Sequence, residues 1–298
     1  MQVYHELNDI NKDLSLALGF FDGVHLGHRA VLNKTVEDSN LKSAVITFEN
    51  HPKCFLENKD PQYILQMKSK LEIFESLGID FVYLLDFEKL CNLSAFDYLS
   101  YLCENLAPKR ISTGFNHFFG KNREGCPTFL RNNQKKFDYK YFEVPQIVIN
   151  SQVISSSTIR ENLVKGNIDF VNAMLGYNYF LEETVQEGEK IGRTLGFKTA
   201  NLYYPKHLLQ ISRGVYKSEV LLHGKTYQGV ANFGMRPSLN NTKVPVLEVH
   251  ILDFDDDIYG ENLKVSFIKK IRDEVKFNDL DELKNQISKD VKQVREGF

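Results

Sequence analysis

Cysteine is scarce in this sequence, and its four copies are widely separated. They are Cys54, Cys91, Cys103 and Cys126, with no Cys-x-x-Cys pair and no histidine cluster beside them. This spacing does not suit a zinc site, and disulfide frameworks belong to small secreted domains. We therefore expect neither a zinc site nor disulfides, and we expect the thiols to be reduced.

Long apolar runs are also missing, and neither sign of charge is in excess. No stretch approaches the roughly 20 apolar residues of a transmembrane helix, and residues 1–13 lack the apolar core of a signal peptide. The 37 Lys and Arg residues nearly balance the 39 Asp and Glu residues, without the basic stripe of a nucleic-acid-binding protein. We expect a cytoplasmic protein with no membrane or nucleic-acid partner. A nucleotide ligand, which needs only a few donors, fits this balance, and no protein partner is indicated.

The 298 residues fit two domains, since domains cluster near about 100–150 residues. In the first half, apolar segments typical of strands alternate with amphipathic segments typical of helices. This alternation predicts right-handed βαβ units and a Rossmann-like, doubly wound parallel sheet. The predicted strands are residues 14–19, 43–48, 81–85, 141–145 and 152–154, and the predicted helices are residues 28–37, 67–77 and 95–102.

After about Tyr177 the pattern changes, because strands follow strands. The predicted strands are residues 180–185, 215–222, 226–233, 246–253 and 263–268, with a hairpin turn at 223–225. A final helix is predicted at 280–294, where Asp279 and Glu282 have the spacing of a capping box. Its apolar stripe is Leu280, Leu283, Ile287, Val291 and Val294. These features predict a small antiparallel β-barrel with a terminal helix, and the change of period places the domains at 1–178 and 179–298.

A glycine- and histidine-rich string lies where the first predicted strand gives way to a helix. Residues 19–28 read GFFDGVHLGH, and Gly19, Gly23 and Gly27 permit tight turns close to a ligand. The N-terminus of a helix offers free N–H groups and a positive dipole end to a polyphosphate. His25 and His28 can donate hydrogen bonds to the charge that develops on a pentavalent phosphorus. The alternative is a glycine-rich turn with incidental histidines, but the complete string favours nucleotide binding.

A second segment, residues 154–160 (ISSSTIR), has serine hydroxyls at a predicted helix start and the fixed charge of Arg160. By itself it is typical of an ordinary hydroxyl-rich helix cap. Together with the first string it predicts two phosphate cradles on one sheet, which would hold both ends of a triphosphate.

Two further segments belong with these, residues 47–52 (TFENHP) and 114–120 (GFNHFFG). Together the four segments resemble the adenylyltransferase half of the bacterial FAD synthetases, the bifunctional riboflavin kinase/FMN adenylyltransferases. The resemblance implies that His25, His28 and Arg160 act on the phosphates being exchanged. The residues expected at the nucleotide and the flavin phosphate are Gly19, Phe20, Asp22, Gly23, Gly27, Asn116, Ser155 and Ser156. Ser157 stands where the family usually has threonine, and it keeps the hydroxyl.

Residues 67–70 (MKSK) faintly resemble the second signature of class I aminoacyl-tRNA synthetases. They lie early in the chain, inside a predicted amphipathic helix, and no anticodon-binding region or basic surface accompanies them. We therefore interpret this segment as part of the helix and set the synthetase hypothesis aside.

The second half carries several short motifs with glycines and polar residues. They are residues 192–201 (GRTLGFKTAN), 214–216 (GVY), 229–238 (GVANFGMRPS), 247–254 (LEVHILDF) and 259–260 (YG). Each alone is equally consistent with the corners of a small barrel, and residues 224–226 (GKT) lack the upstream glycine of a P-loop. Together with residues 271–277 (IRDEVKF), they resemble the riboflavin kinase half of the same family in order and spacing.

The resemblance implies that Thr199 and Asn201 bind Mg²⁺ and, with Gly192 and Gly196, the phosphates of ATP. Glu248 is then the general base that takes the proton of the ribityl hydroxyl, since a primary alcohol is a poor nucleophile. Arg272 and Glu274 are expected to bind the flavin.

Two residues depart from the family pattern. Lys198 stands where the family has a proline before Thr-Ala-Asn, and Glu183 stands where it usually has a glycine. Proline fixes the backbone ahead of the metal-binding threonine. Its loss could loosen that loop, while a lysine could reach a phosphate.

The sequence therefore predicts an enzyme that converts riboflavin to FMN and FMN to FAD, with ATP as co-substrate and Mg²⁺ as the metal. Lys198 motivates the alternative of an FMN adenylyltransferase with an impaired kinase. A second alternative is a non-catalytic flavin-binding regulator, but it leaves the intact site residues unexplained. A third is an adenylyltransferase for another small molecule, which leaves the second half of the chain unexplained.

Overall fold

The computed structural model of the chain describes residues 1–7, 13–52, 62–188, 196–237 and 243–297. Cys54 and Gly192 lie outside the described residues. The chain divides into two compact units, Met1–Ser156 and Ser157–Phe298. Both predicted architectures are confirmed, because the sheet of the first unit is parallel and that of the second is antiparallel and nearly closed.

The first unit alternates strands and helices. Its strands are β1 (Gln2–Tyr4), β2 (Leu14–Leu18), β3 (Lys42–Phe48), β4 (Phe81–Leu85), β5 (Arg110–Gly114), β6 (Lys140–Val144), β7 (Val148–Ile149) and β8 (Gln152–Val153). Its helices are α1 (Leu26–Val36), α2 (Met67–Ser76), α3 (Phe87–Leu90), α4 (Ala95–Leu106) and α5 (Pro127–Phe137). The short strands β7 and β8 pair as a separate hairpin.

The parallel sheet has the strand order β1-β4-β3-β2-β5-β6. β2 is buried at every position, as expected of a central parallel strand whose two faces are both covered. The chain builds outward from β2 through β3 to β4 and then returns to the other side of β2 with β5. In such sheets the ligand crevice lies beyond the carboxyl ends of the strands where this direction reverses, which here is between β2 and β5.

The second unit begins with α6 (Ser156–Lys165), a helix that starts at the division. Its further elements are α7 (Ile168–Leu175), β9 (Phe180–Thr184), β10 (Ala200–Tyr203), β11 (Gly214–Leu222), β12 (Lys225–Pro237), β13 (Lys243–Ile251), β14 (Asn262–Arg272) and α8 (Leu280–Glu296). The six strands are antiparallel in the order β10-β13-β12-β11-β14-β9. The two edges approach each other just after β9, where the N–H of Gln186 donates to the carbonyl of Asn201 at 2.8 Å.

Most predicted elements are present with ends shifted by a few residues, but some elements were missed. The missed ones are the strands β1, β5, β7 and β10 and the helices α3, α5 and α7. β5 reads Arg-Ile-Ser-Thr-Gly, and its buried Ser112 and Thr113 hide the apolar pattern of an inner strand. The predicted hairpin turn is confirmed, since Leu222 pairs with Lys225 and both His223 and Gly224 have positive φ, as a type I′ turn requires.

The start of α8 differs in detail from the predicted capping box. The Asp279 carboxylate accepts the N–H of Glu282 at 2.8 Å as predicted, but the Glu282 carboxylate accepts the N–H of Asn278 rather than that of Asp279. Leu280 is 57% exposed, so only the later part of the predicted stripe packs on the barrel. Val294 and Val291 there contact the core formed by β11 and β12.

A buried ion pair joins α8 to the end of β14. Asp290 is 2% exposed, and its carboxylate accepts from Arg272 through Nε at 3.1 Å and Nη2 at 2.7 Å. Gln286 donates to the same carboxylate at 2.9 Å. Because both charges are paired and hydrogen-bonded, removing one partner would leave the other uncompensated.

We expect Asp290→Ala to lower the free energy of unfolding of the second unit by about 3 kcal/mol, because it leaves the Arg272 guanidinium without its carboxylate partner. Urea unfolding followed by circular dichroism measures this. The matched control is Arg295→Ala, which breaks the exposed pair that Arg295 of the same helix forms with Asp253 and should change the value by less than about 1 kcal/mol. Equal effects of the two variants would contradict the expectation.

Candidate active sites

The two histidines of the first string meet at the start of α1. His25 is the N-cap, and its Nδ1 accepts the N–H of His28 at 3.2 Å. The two imidazole rings stack with centroids 3.6 Å apart and planes 17° apart. Since Nδ1 of His25 accepts, the neutral ring carries its proton on Nε2, and burial lowers the pKa of His25 to about 4. His25 therefore presents a neutral donor at the positive end of the helix.

Glycine is required twice in this loop. Gly23 has φ +78°, and a Cβ there would also meet the side chain of Ile64 at 3.0 Å. A Cβ on Gly27 would lie 3.1 Å from the imidazole of His25. Phe21 and Val24 also have positive φ, 57° and 36°, which is rare for a bulky or β-branched residue. The loop is thus held in an unusual conformation by its surroundings.

Asp22 is one of the contacts that hold the loop. It is 4% exposed, and its carboxylate accepts the N–H of Ile64 at 3.0 and 3.2 Å. The hydroxyl of Ser156 donates to the main-chain carbonyl of Asp22 at 3.1 Å. The two predicted phosphate segments are therefore in direct contact through Ser156. Ser155 precedes it, and Arg160 lies one turn along α6, where residues four apart share a face.

The segment after β5 supplies the next predicted residue. Asn116 is exposed directly beyond the carboxyl end of that strand, next to the crevice that the strand order predicts. The neighbouring His117 stacks on Phe119, and among the described residues its Nε2 is a buried atom without a hydrogen-bond partner. Burial lowers the pKa of His117 to about 4.

In the second unit, a polar row crosses three strands. Asn201 of β10 lies opposite Glu248 of β13, which lies opposite Asn232 of β12. Directly opposed residues on antiparallel strands point to the same face, so the general base predicted from the sequence is flanked by two amides. No role was predicted for Asn232 from the sequence. Aligning the predicted strands in register would have placed it opposite Glu248.

The Asn201 side chain is closely packed, and its amide oxygen is available to a ligand. Within the described ranges, Oδ1 of Asn201 is buried and accepts no hydrogen bond. A Cβ on Gly188 would overlap the same side chain, so glycine is needed there for close packing. A buried amide oxygen is a ligand type that Mg²⁺ accepts. The residues present therefore fit the magnesium ion that the sequence predicts, with Thr199 two residues before Asn201.

Comparison with known proteins identifies the family. The FAD synthetase family model matches residues 7–158, and the riboflavin kinase family model matches residues 175–298. The bifunctional riboflavin kinase/FMN adenylyltransferase of Haemophilus influenzae is 35% identical over 99% of this chain and 97% of that protein. This chain belongs to the bifunctional riboflavin kinase/FMN adenylyltransferase family. The member from Listeria monocytogenes is likewise 35% identical, over 98% of this chain and 94% of its own.

A solved crystal structure is similar to this chain over its full length. The crystal structure of a protein described as a macrolide-efflux protein, from Streptococcus pneumoniae, superposes with a TM-score of 0.90 at 29% identity. The alignment covers 100% of this chain and 99% of the other. In the part of this chain that the structure describes, no helix is both long and apolar enough to cross a membrane.

The family's proline is replaced by Lys198, and the structure shows where this side chain goes. Its ammonium donates to the carbonyls of Asp255 and Asp256 at 2.9 and 2.7 Å. Nδ1 of His250 donates to the carbonyl of Lys198 itself at 2.8 Å. Lys198, directly before Thr199, is therefore held through both its main chain and its side chain.

The predicted flavin-binding residues have partners within the second unit. Arg272 is paired with Asp290, as described above. The carboxylate of Glu274 lies over Gly234, so that a Cβ on that glycine would be 2.8 Å from Oε1. The other departure, Glu183, is in β9 opposite Leu263 of β14. Gly196 has φ +88°, which favours glycine there.

We expect Lys198→Met to lower kcat/KM for the kinase step about 3- to 10-fold, because two hydrogen bonds to the segment beside Thr199 are lost. Lys198→Arg should restore most of the activity, and adenylylation of FMN by the same chain serves as the internal control. Lys225→Met, in the exposed hairpin, is the matched surface control. Full kinase activity in Lys198→Met would show that the contact has no role.

We expect acid to destabilise the first unit through His117. A buried imidazole with a pKa of about 4 binds its proton only when the chain unfolds, so stability falls as pH drops from about 6.5 toward 4. At pH 5 the loss is about 2 kcal/mol relative to pH 8. His117→Phe should remove that share of the pH dependence in urea unfolding, whereas His207→Gln, at an exposed histidine, should not. Parallel pH profiles of His117→Phe and the unmodified chain would refute the assignment.

Proposed function

We propose that this chain transfers the γ-phosphoryl group of ATP to riboflavin, giving FMN, and then adenylylates FMN to FAD with release of pyrophosphate. The observation that carries the proposal is that each unit presents its own constellation. These are the stacked pair of His25 and His28 at a helix start, and the row of Asn201, Glu248 and Asn232 in the barrel. Each constellation suits one of the two reactions.

For adenylyl transfer, a phosphate oxygen of FMN attacks the α-phosphorus of ATP, and the bond to the bridging β-phosphate oxygen breaks. The donors at the start of α1, with Nε2–H of His25 and the ring of His28, would stabilise the charge on the α-phosphate. Gly19, Phe20, Asp22, Gly23 and Gly27 shape the loop that presents them. Both reactants already carry phosphate, so the protein contributes positioning and electrostatic stabilisation rather than a covalent intermediate.

The remaining phosphate ligands come from two other segments. We assign Ser155, Ser156 and Arg160 to the phosphates of the leaving group, supported by the contact of Ser156 with the loop. Asn116, at the carboxyl edge of β5, would contact the flavin phosphate. A guanidinium suits a phosphate because it donates parallel hydrogen bonds.

For the kinase step, we assign Glu248 as the general base for the ribityl hydroxyl. Thr199 and Asn201 would hold Mg²⁺, which neutralises charge on the phosphates when it is bound. Gly192 and Gly196 belong to the segment expected at the ATP phosphates, and Arg272 and Glu274 to the flavin side. Because Arg272 is held by Asp290, it would act by fixing the chain that carries Glu274.

We place the functional boundary at 178, with adenylyl transfer in residues 1–178 and kinase activity in residues 179–298. The antiparallel strands begin at β9, just after this point, which supports the division. We also propose a cytoplasmic location and three small-molecule partners, namely riboflavin, FMN and ATP.

The test is to incubate the purified chain with riboflavin, ATP and Mg²⁺ and to resolve the three flavins by chromatography over time. We expect FMN followed by FAD, and no turnover when the metal is chelated. Glu248→Gln should lower riboflavin phosphorylation by at least about 100-fold, the range of general-base catalysis, and leave conversion of FMN to FAD unchanged. Glu219→Gln, at an exposed carboxylate of β11, is the matched control.

The outcomes separate the alternatives. If added FMN becomes FAD while riboflavin stays unchanged, the chain is an adenylyltransferase with an impaired kinase. If neither flavin turns over, the proposal is wrong, and the alternative of a non-catalytic flavin-binding regulator is favoured.

A further inference from the structure

Lys70 is a buried cation to which neither of the two proposed reactions gives a role. It belongs to α2, in the MKSK segment, and it is 3% exposed. The helix turns Ser69 and Lys70 inward together, although its amphipathic pattern is carried by other residues. Lysine is rarely buried because its ammonium loses hydration. A charge kept in this position therefore needs a reason beyond packing.

The ammonium of Lys70 lies under the nucleotide loop. Nζ donates to the main-chain carbonyl of Phe20 at 3.2 Å and lies 3.4 Å from Oγ1 of Thr47. It also lies 4.5 Å from the centroid of the Phe20 ring. The hydroxyl of Thr47 donates to the same Phe20 carbonyl at 3.1 Å. One carbonyl thus accepts from two side chains that come from two different parts of the chain.

These contacts compensate the charge only in part. Burial lowers the pKa of Lys70 to about 8, and the nearby carboxylate of Asp22 opposes that shift. The Asp22 carboxylate is itself engaged by the N–H of Ile64. A cation held mainly by a carbonyl, a hydroxyl and a ring face retains a positive field at its surface. The loop on that surface is the one that meets the polyphosphate of ATP.

We propose that Lys70 is a positioning residue for adenylyl transfer, fixing the Phe20 carbonyl so that the loop presents His25 and the start of α1 to the ATP phosphates. The proposal rests on the adenylyltransferase activity proposed above. The MKSK segment then contributes to the nucleotide site through its second lysine, Lys70. It also explains why Thr47, from the TFENHP segment, is buried against the loop.

The decisive variant is Lys70→Met, which keeps the length of the side chain and removes both charge and donor. We expect kcat/KM for ATP in the FMN-to-FAD reaction to fall at least 10-fold, mainly through a higher KM for ATP, with kcat changed less. Riboflavin phosphorylation by the same chain should stay within 2-fold. Lys70→Gln, which keeps a donor for the Phe20 carbonyl, should recover part of the loss.

Two further variants keep the test decisive if Lys70→Met folds poorly. Ser69→Ala changes a neighbour that is 1% exposed and whose hydroxyl, among the described residues, makes no hydrogen bond, so it should leave the KM for ATP unaltered. Thr47→Val removes the other donor to the Phe20 carbonyl and the 3.4 Å contact with Lys70, but it keeps the ammonium. It should raise the KM for ATP about 3- to 5-fold.

The outcomes distinguish this inference from the function on which it rests. If the unmodified chain makes FAD and both Lys70→Met and Thr47→Val do so with its KM for ATP, the positioning role is overturned while the function stands. If the unmodified chain makes no FAD from FMN, the proposed function fails and the inference fails with it. A raised KM for ATP in Lys70→Met and Thr47→Val, but not in Ser69→Ala, supports the role.

Discussion

The parallel pairing of β2 with β3 on one side and with β5 on the other determines where the first unit can bind a ligand. Leu18 ends β2 and Gly114 ends β5, so the loops that carry His25 and Asn116 both leave the same edge of the sheet. Main-chain hydrogen bonds of the sheet, rather than contacts among the site residues, bring these loops together. A change in strand register would separate them even if every site residue were kept.

The second unit reaches a comparable result with antiparallel strands. Asn201, Glu248 and Asn232 are far apart in sequence, and the registers of β10, β13 and β12 align them on one face. Close packing then limits their movement, since Gly188 leaves room for the Asn201 amide and nothing larger. A carboxylate between two amides on rigid strands keeps its position better than one on a loop, which suits the general base that we propose.

Local patterns in the sequence predicted the parts of this arrangement that depend on short segments. The glycines and histidines of residues 19–28 predicted a tight turn that leads into a helix start with two histidines beside it, because these features are all encoded within ten residues. β5 escaped prediction because its inward Ser112 and Thr113 are polar, and its strand character comes from burial between β2 and β6. The contacts of Asp22 with Ile64 and of Lys198 with Asp255 join residues about 40 to 60 positions apart. Contacts between residues so far apart in sequence cannot be predicted from a local hydrophobic pattern.

The partly buried Arg272 and the buried Lys70 differ in how well their charges are compensated within the fold. Arg272 has a carboxylate in bidentate contact, and Gln286 supports that carboxylate from the same helix. That geometry offsets the loss of hydration and accounts for the charge within the fold. Lys70 has weaker partners at 3.2 and 3.4 Å, and an apolar side chain of the same length would be easier to bury. Stability of the unit alone would therefore favour the apolar side chain, and this weaker pairing is the observation that supports the positioning role proposed for Lys70.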